Sequence, residues 1–388
     1  MRICYINRFL NVPWGCGIHG QSLVQGWLGA GHDVLCLPDA LRNASFTPER
    51  TVGRLAWMPP AVHGPAQDAR SRFIATKDAH RLTERLRQFA PDLVISRRAR
   101  YDYCLDAVLQ RSGVAYVAEV NAVLAAETAQ FAGERLLPGE RRRERNYLLR
   151  ALGAVCVSEV ARDEVRALGV PDERLRVLPN GVDVDLFSPD ATPDPTTAKW
   201  ARDFARVYGH AGTMGATHDT TGLLGAAAAL AKEQSGAGFL FVGAKLPDLQ
   251  RQPTWNAVLQ DRVRCTGRVP HEDVPGHLAS AHVLWASFLH DHGSPLKLYE
   301  YLALGRPIVL AGAGQAVSVV QESRCGTAIP RGDASRLAQA ALALGSLTSE
   351  ELVALGGNGR RWVERRHTWT AVAADFVDAA TDFVTGDA

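Results

Sequence analysis

The chain has 388 residues, of which 46% are hydrophobic and 22% charged, with 43 basic against 41 acidic side chains and a formal net charge of +2. That length suits two domains better than one core, and the composition is that of an ordinary globular protein. Near-balanced charge excludes strong nucleic-acid binding and an acidic tail, and no apolar run approaches the ~18 residues of a membrane span.

Met1-Arg2 leads straight into an apolar run, so no signal segment is expected and the expected location is the cytoplasm. Through the first half, strands are expected over residues 2–6, 33–37, 92–96, 114–120, 154–158 and 176–178. Helical periodicity falls over 21–28, 77–89 and 141–152. Such alternation predicts a doubly wound parallel sheet. Residues 41–75 are weakly periodic and read as a loop or irregular insertion. Seven cysteines, an odd number without a Cys-x-x-Cys pair, read as reduced thiols. Cys4, Cys36 and Cys156 lie in apolar runs as small hydrophobes. The stretch 179–195 holds four prolines and four aspartates and reads as a linker. Strands resume over 207–211, 239–242, 263–266, 283–286 and 308–310, and residues 349–384 read as helical with a break near His367. The predicted domains are 1–180 and 181–366, with a final helix over 367–388. Open parallel sheets bind ligands beyond the carboxyl ends of their strands, so two such domains predict a site between them.

Several patterns carry possible chemistry. Gly15-Cys16-Gly17-Ile18-His19-Gly20 matches G-x-G-x-x-G, with Asp39 at a plausible distance for a ribose acid, as in a dinucleotide-binding oxidoreductase. Against it, the fingerprint should begin at the strand end, whereas residues 7–14 intervene. Gly212-Thr213-Met214-Gly215 follows a strand and offers backbone amides as an anion nest. His290-Asp291-His292 raises a metal site, but alternate residues in a turn are poor tetrahedral ligands without a third donor. The run from Arg135 to Arg150 is basic and amphipathic. Its mixed signs and lack of exposed apolar residues favour a solvated helix over membrane contact. The sequence is rich in Arg and Ala and has only five lysines (Lys77, Lys199, Lys232, Lys245, Lys297), as GC-rich bacterial codon usage gives.

The most specific stretch runs from Ser294 to Val309, Ser-Pro-Leu-Lys-Leu-Tyr-Glu-Tyr-Leu-Ala-Leu-Gly-Arg-Pro-Ile-Val. Ser294 reads as an N-cap, Pro295 as the first helical residue, and Gly305 as the stop. Lys297 and Glu300 are three apart and share a face. Free amides at the helix start, with the dipole behind them, suit an anion. Lys297 adds charge for phosphate and Glu300 an acceptor for hydroxyls. The ligand these features predict is a phosphate carrying a polyol, such as the ribose diphosphate of a nucleotide sugar.

This stretch resembles the Pro-x-Lys-(Leu/Phe)-(Tyr/Phe)-Glu segment of the group 1 glycosyltransferases, a large retaining family of GT-B fold. Pro179-Asn180-Gly181-Val182-Asp183 with Phe187, and Glu119-Val120-Asn121, resemble further segments in the same order. The resemblance implies an α/β protein of two Rossmann-like domains facing a central cleft. The first domain would bind an acceptor hydroxyl on a glycan, glycolipid or secondary metabolite. The second would bind a nucleotide-diphosphate sugar, with the last helix returning to the first. It implies no metal and no other cofactor. By the same resemblance Lys297, Glu300 and Asn121 are catalytic. Gly212, Thr213, Met214, His218, Lys245, Arg268, Val269, His292, Gly293, Ser294 and Leu296 line the donor, and Gly17, His19, Arg97, Glu119 and Glu127 lie on the acceptor side. The chain departs from the family in three places. Met214, His218 and Asp219 occupy the region of its usual Arg and Lys, His292 stands for a Glu, and Asn121 for a His. A sugar-nucleotide 2-epimerase or hydrolase on the same fold, or a non-catalytic relative that binds sugar, would share most of these features.

Overall fold

The structure, a computed structural model, describes residues 1–37, 78–100, 102–131, 138–214, 218–291 and 293–386. Asp39, Lys77, Arg135, Gly215, Ala216, Thr217, His292 and the expected 41–75 insertion lie outside the described residues. The chain forms two compact units, Met1–Pro179 with Trp369–Ala388, and Asn180–Thr368.

In the first unit the strands are β1 (Arg2–Asn7), β2 (Asp33–Leu37), β3 (Leu93–Arg97), β4 (Val117–Val120), β5 (Ala154–Cys156) and β6 (Leu175–Val177). They make one parallel sheet in the order β2-β1-β3-β4-β5-β6. β1, β3, β4 and β5 are apolar almost throughout because helices cover both faces of such a sheet. The helix Gly15–Gly29 follows β1. A Cβ on Gly17 would lie 1.8 Å from the Val12 carbonyl oxygen, and one on Gly20 would lie 2.7 Å from Asn7 Nδ2. These glycines let the intervening loop fold back on the helix, which explains the G-x-G-x-x-G pattern by packing. Trp27 from this helix donates its indole N–H to the Ala373 carbonyl at 3.0 Å and meets Phe376 edge-on, so the helix Trp369–Thr385 belongs to this unit.

The helix Glu140–Arg150 corrects the mixed-sign reading of its sequence. Glu140 receives a forked pair of hydrogen bonds from Arg100 at 2.8 and 3.1 Å. Glu144 accepts the N–H groups of Leu124 (2.7 Å) and Ala125 (3.0 Å), capping the helix Leu124–Phe131 from outside. Both acids are buried, and the exposed charges of the helix are Arg141, Arg142, Arg145 and Arg150.

The second unit has β7 (Arg206–Ala211), β8 (Ala237–Val242), β9 (Val263–Gly267), β10 (Val283–Ser287), β11 (Ile308–Gly312) and β12 (Gly326–Pro330), all parallel, in the order β12-β11-β10-β7-β8-β9. The stretch expected as a linker is anchored here from Asn180 onward. Val182 bridges to Thr368, Phe187 enters the core, and the Asp194 N–H bonds to the Gly276 carbonyl. Helices Ser349–Arg366 and Trp369–Thr385 flank a break at His367 and Thr368. Among the described residues no helix is long and apolar enough to cross a membrane. Strand order reverses between β1 and β3 in the first unit and between β7 and β10 in the second. Those reversals are where open sheets leave a crevice for ligands.

Candidate functional site

In the second unit the reversal brings Gly212, His218 and Lys297 together. β7 ends at Ala211 and runs into Gly212, whose N–H bonds to the Val242 carbonyl at 2.8 Å. Gly212 has φ +149°, and a Cβ there would sit 2.5 Å from Lys297 Nζ and 3.3 Å from Nε2 of both His210 and His218. Glycine therefore keeps bare backbone beside a cluster of three nitrogenous side chains. Met214 adopts φ +54°, unusual for a residue with a Cβ.

Lys297 comes from the helix Leu296–Ala303, which follows β10. Here the structure corrects the expected cap. The helix begins at Leu296 with Pro295 as its N-cap, and no described side chain caps it. Ser294 Oγ instead accepts the Asn180 N–H at 3.1 Å and lies 3.0 Å from the Tyr299 hydroxyl, and Asn180 Nδ2 donates to the Ser294 carbonyl. Ser294 is a brace between chain segments; at the helix start the Leu298 N–H turns back to the Pro295 carbonyl at 3.1 Å, and no described side chain caps the first turn.

Lys297 Nζ lies 2.7 Å from His218 Nε2 and 3.4 Å from His210 Nε2, above the Phe288 ring. Burial lowers its ammonium from the ordinary value to about 7, against the pull of the Glu300 carboxylate. His210, which was not among the residues predicted from sequence, is fully buried and donates Nδ1–H to the Trp285 carbonyl at 3.0 Å. Burial holds His210 well below the usual imidazole value, with Lys297 and His218 adding to the effect. Its signal was available, since an imidazole near the carboxyl end of a buried strand seldom serves packing alone. Asp219 is occupied as a cap, accepting the Gly222 N–H at 2.8 Å and the Ser287 hydroxyl at 3.0 Å.

Glu300 is buried, and its Oε1 lies 2.7 Å from His271 Nε2, on the loop after β9. Burial opposes protonation of His271, but the hydrogen bond and charge of Glu300 outweigh it and raise His271 above its ordinary value. His271 was missed as well; the nearest predicted donor residue, Val269, lies two positions before it. Lys245, Arg268 and Thr213 are exposed, and Val269, Gly293 and Leu296 are half-buried. His292 lies outside the described residues, and among those described no group of three or more His, Cys, Asp or Glu is arranged to hold a metal ion.

The first unit gathers its predicted residues differently. Glu119 on β4 is buried, with Oε1 2.8 Å from His19 Nε2 and 3.4 Å from an Arg97 guanidinium nitrogen, and Oε2 accepting the Tyr5 hydroxyl. Arg97 also donates to the Cys16 carbonyl at 3.2 Å, and Asn7 donates to the Tyr5 oxygen at 2.8 Å. Burial alone would raise the Glu119 carboxyl, but the charges of His19 and Arg97 and the bonds from His19 and Tyr5 hold it below the usual range. His19, Arg97 and Glu119 thus form one buried network, and Gly17 serves close packing. Asn121 and Glu127 remain half-buried at the end of β4 and on the next helix. The Asn121 Oδ1 atom has no hydrogen-bond partner among the described residues.

Residues 15–186 match the family model described as Glycosyltransferase Family 4, and residues 205–346 that described as Glycosyl transferases group 1. Together these stretches take in most of the chain. It is 26% identical to the GDP-mannose-dependent alpha-(1-6)-phosphatidylinositol monomannoside mannosyltransferase of Mycobacterium tuberculosis, over 99% of this chain and 94% of that one. The MMP alpha-(1->4)-mannosyltransferase of Mycolicibacterium hassiacum is 30% identical over 57% of this chain and 51% of its own. Among solved structures, HepE of Anabaena in complex with UDP and glucose superposes with a TM-score of 0.70 at 16% identity, covering 98% of this chain and all of that one. Sucrose-phosphate synthase from Thermosynechococcus elongatus gives 0.73 at 15% identity, with each chain fully covered. With two parallel six-stranded sheets, a Lys and a Glu on one helix face beyond the second sheet's reversal, and both family models in register, the chain belongs to the group 1 glycosyltransferases of two-domain α/β GT-B fold.

Proposed function

We propose that the protein transfers a hexosyl group from a nucleoside-diphosphate sugar to an acceptor hydroxyl with retention of anomeric configuration. One observation carries this: the Lys297 ammonium, on the first turn of a helix that no described side chain caps, lies against the bare Gly212 backbone. A diphosphate takes a cation and clustered N–H donors, while ribose hydroxyls take a carboxylate. Glu300 supplies that carboxylate on the same helix as Lys297. GDP-mannose is the first donor to test because the relative matched along nearly its whole length is named for it.

As the sugar–oxygen bond breaks, negative charge grows on the leaving diphosphate, and Lys297 stabilises it more in the transition state than in the ground state. The departing phosphate oxygen takes the acceptor proton. That route suits Asn121, whose amide is no base near neutral pH. Asn121 and Glu127 orient the acceptor, and the buried His19–Glu119–Arg97 network fixes the sheet end that carries them. Lys297 and the N–H groups supply the charge that a divalent cation provides in other transferases.

Nucleotide release over a panel of GDP-, UDP-, TDP- and ADP-sugars tests this assignment. Release should appear with one donor, and only when an acceptor extract is added. Consumption without acceptor would indicate an epimerase or hydrolase, and silence with every donor a binding protein. Glu300→Ala removes charge-assisted hydrogen bonds of ~1.5–3 kcal/mol each, so the donor KM should rise at least tenfold in a folded variant. Unaltered donor kinetics would contradict the ribose role.

A further inference from the structure

Resting on that donor site, we propose that the cation gripping the diphosphate is completed only as the donor arrives, by uptake of a proton into the Lys297–His218 pair. The observation is geometric. Nζ and Nε2 stand 2.7 Å apart, and a hydrogen bond between two nitrogens requires a lone pair on one of them. The pair in this arrangement therefore holds one proton fewer than its capacity.

The surroundings reinforce this. From β7, His210 donates Nδ1–H to Trp285, so its Nε2 turns a lone pair toward Nζ at 3.4 Å. From the end of β10 come the Phe288 ring and, packed on it, the His290 ring; Asp291 follows in the same turn. Asp219, beside His218, spends its carboxylate on Gly222 and Ser287. On the helix, Glu300 is bound by His271, and the Tyr301 hydroxyl accepts the Ala211 N–H. Apart from the more distant field of Glu300, none of these described groups supplies the negative charge that a doubly protonated pair needs. A diphosphate supplies it. Once it sits by Gly212, the Lys297 ammonium and the His218 imidazolium each have an anionic oxygen to face and no longer need each other. His218 thereby supplies a conditional charge beside Lys297.

The test is calorimetry of donor binding without acceptor, in two buffers of different ionisation heat. GDP-mannose is the probe, with UDP-glucose, TDP-glucose and ADP-glucose tried in turn. Their diphosphates carry no ionisation near neutral pH, so any proton linkage belongs to the protein. Between about pH 6 and 7, where Lys297 still holds its proton in the free chain, the complex should take up about one proton, with Kd weakening by up to ~10-fold per pH unit, the limit for one linked proton. His218→Gln should bind at least tenfold more weakly than the parent at pH 6 and nearly equally at pH 9. Binding without proton uptake overturns the proposal and leaves the donor site standing. A His218→Gln loss equal at both pH values shows a role in shape alone and overturns it too. Failure of every donor to bind at any pH removes the donor site itself.

Discussion

Replacing Lys297 with methionine should lower kcat ~10²-fold or more while raising the melting temperature of the free protein near pH 6. Removal of a close positive charge is worth up to ~4 kcal/mol at an effective dielectric of 20. Most of it should appear in kcat, because leaving-group charge is largest in the transition state. The stability change has the opposite sign for a reason visible in the site. In the folded chain the ammonium loses its proton near 7, and in the unfolded chain near ~10.4. Between those values the unfolded state binds the extra proton, so parent stability climbs with pH. Below about pH 7 both states are protonated, and the full cost of holding a buried ammonium weighs on the fold. Methionine removes that cost, so its advantage in a calorimetric melt should be largest at pH 6 and shrink toward pH 10. A Lys297→Met variant with parental kcat would take Lys297 out of catalysis. One that melts below the parent at every pH would show its contacts with His218 and His210 to be a net support of the fold.

Glu119→Gln should cost the first unit about 3–5 kcal/mol, the usual loss when one member of a buried ion network is removed. The carboxylate holds His19, Arg97 and Tyr5 together. An amide of equal size leaves the guanidinium without an anionic partner. Because folding lowers the Glu119 pKa, its contribution is complete above the unfolded carboxyl value and disappears as pH falls through the folded one. The gap between parent and variant in chemical denaturation should therefore be widest near pH 7 and close as pH drops below 4. A gap below 1 kcal/mol at pH 7 would show that the network is not what fixes this sheet end.

Sequence patterns captured the strands that are buried on both faces, because a short, continuous apolar run set between helical periods fits little besides a strand covered on both sides. They missed β12, whose residues Gly326–Pro330 are half exposed and bounded by Gly and Pro at an edge of the sheet. Spacing placed Lys297 and Glu300 on one helix face, since three-residue separation is a local property. It did not reveal that Ser294 turns toward Asn180 and Tyr299, because that preference depends on partners 114 residues and one helical turn away. The same limit hid the cluster. His210 and His218 reach Lys297 across separations of 87 and 79 residues, and His271 reaches Glu300 across 29. Charge along the Glu140–Arg150 helix looked mixed for a related reason, since only folding shows that its two acids turn inward.

The most direct measurement is a crystal structure of the protein soaked with GDP-mannose, or with whichever sugar nucleotide proves active. It should show the diphosphate against Gly212 and the start of the Leu296–Ala303 helix, Lys297 Nζ turned from His218 onto a phosphate oxygen, and ribose hydroxyls on Glu300. A nucleotide bound elsewhere, with Lys297 still joined to His218 and Glu300 touched only by His271, would contradict it.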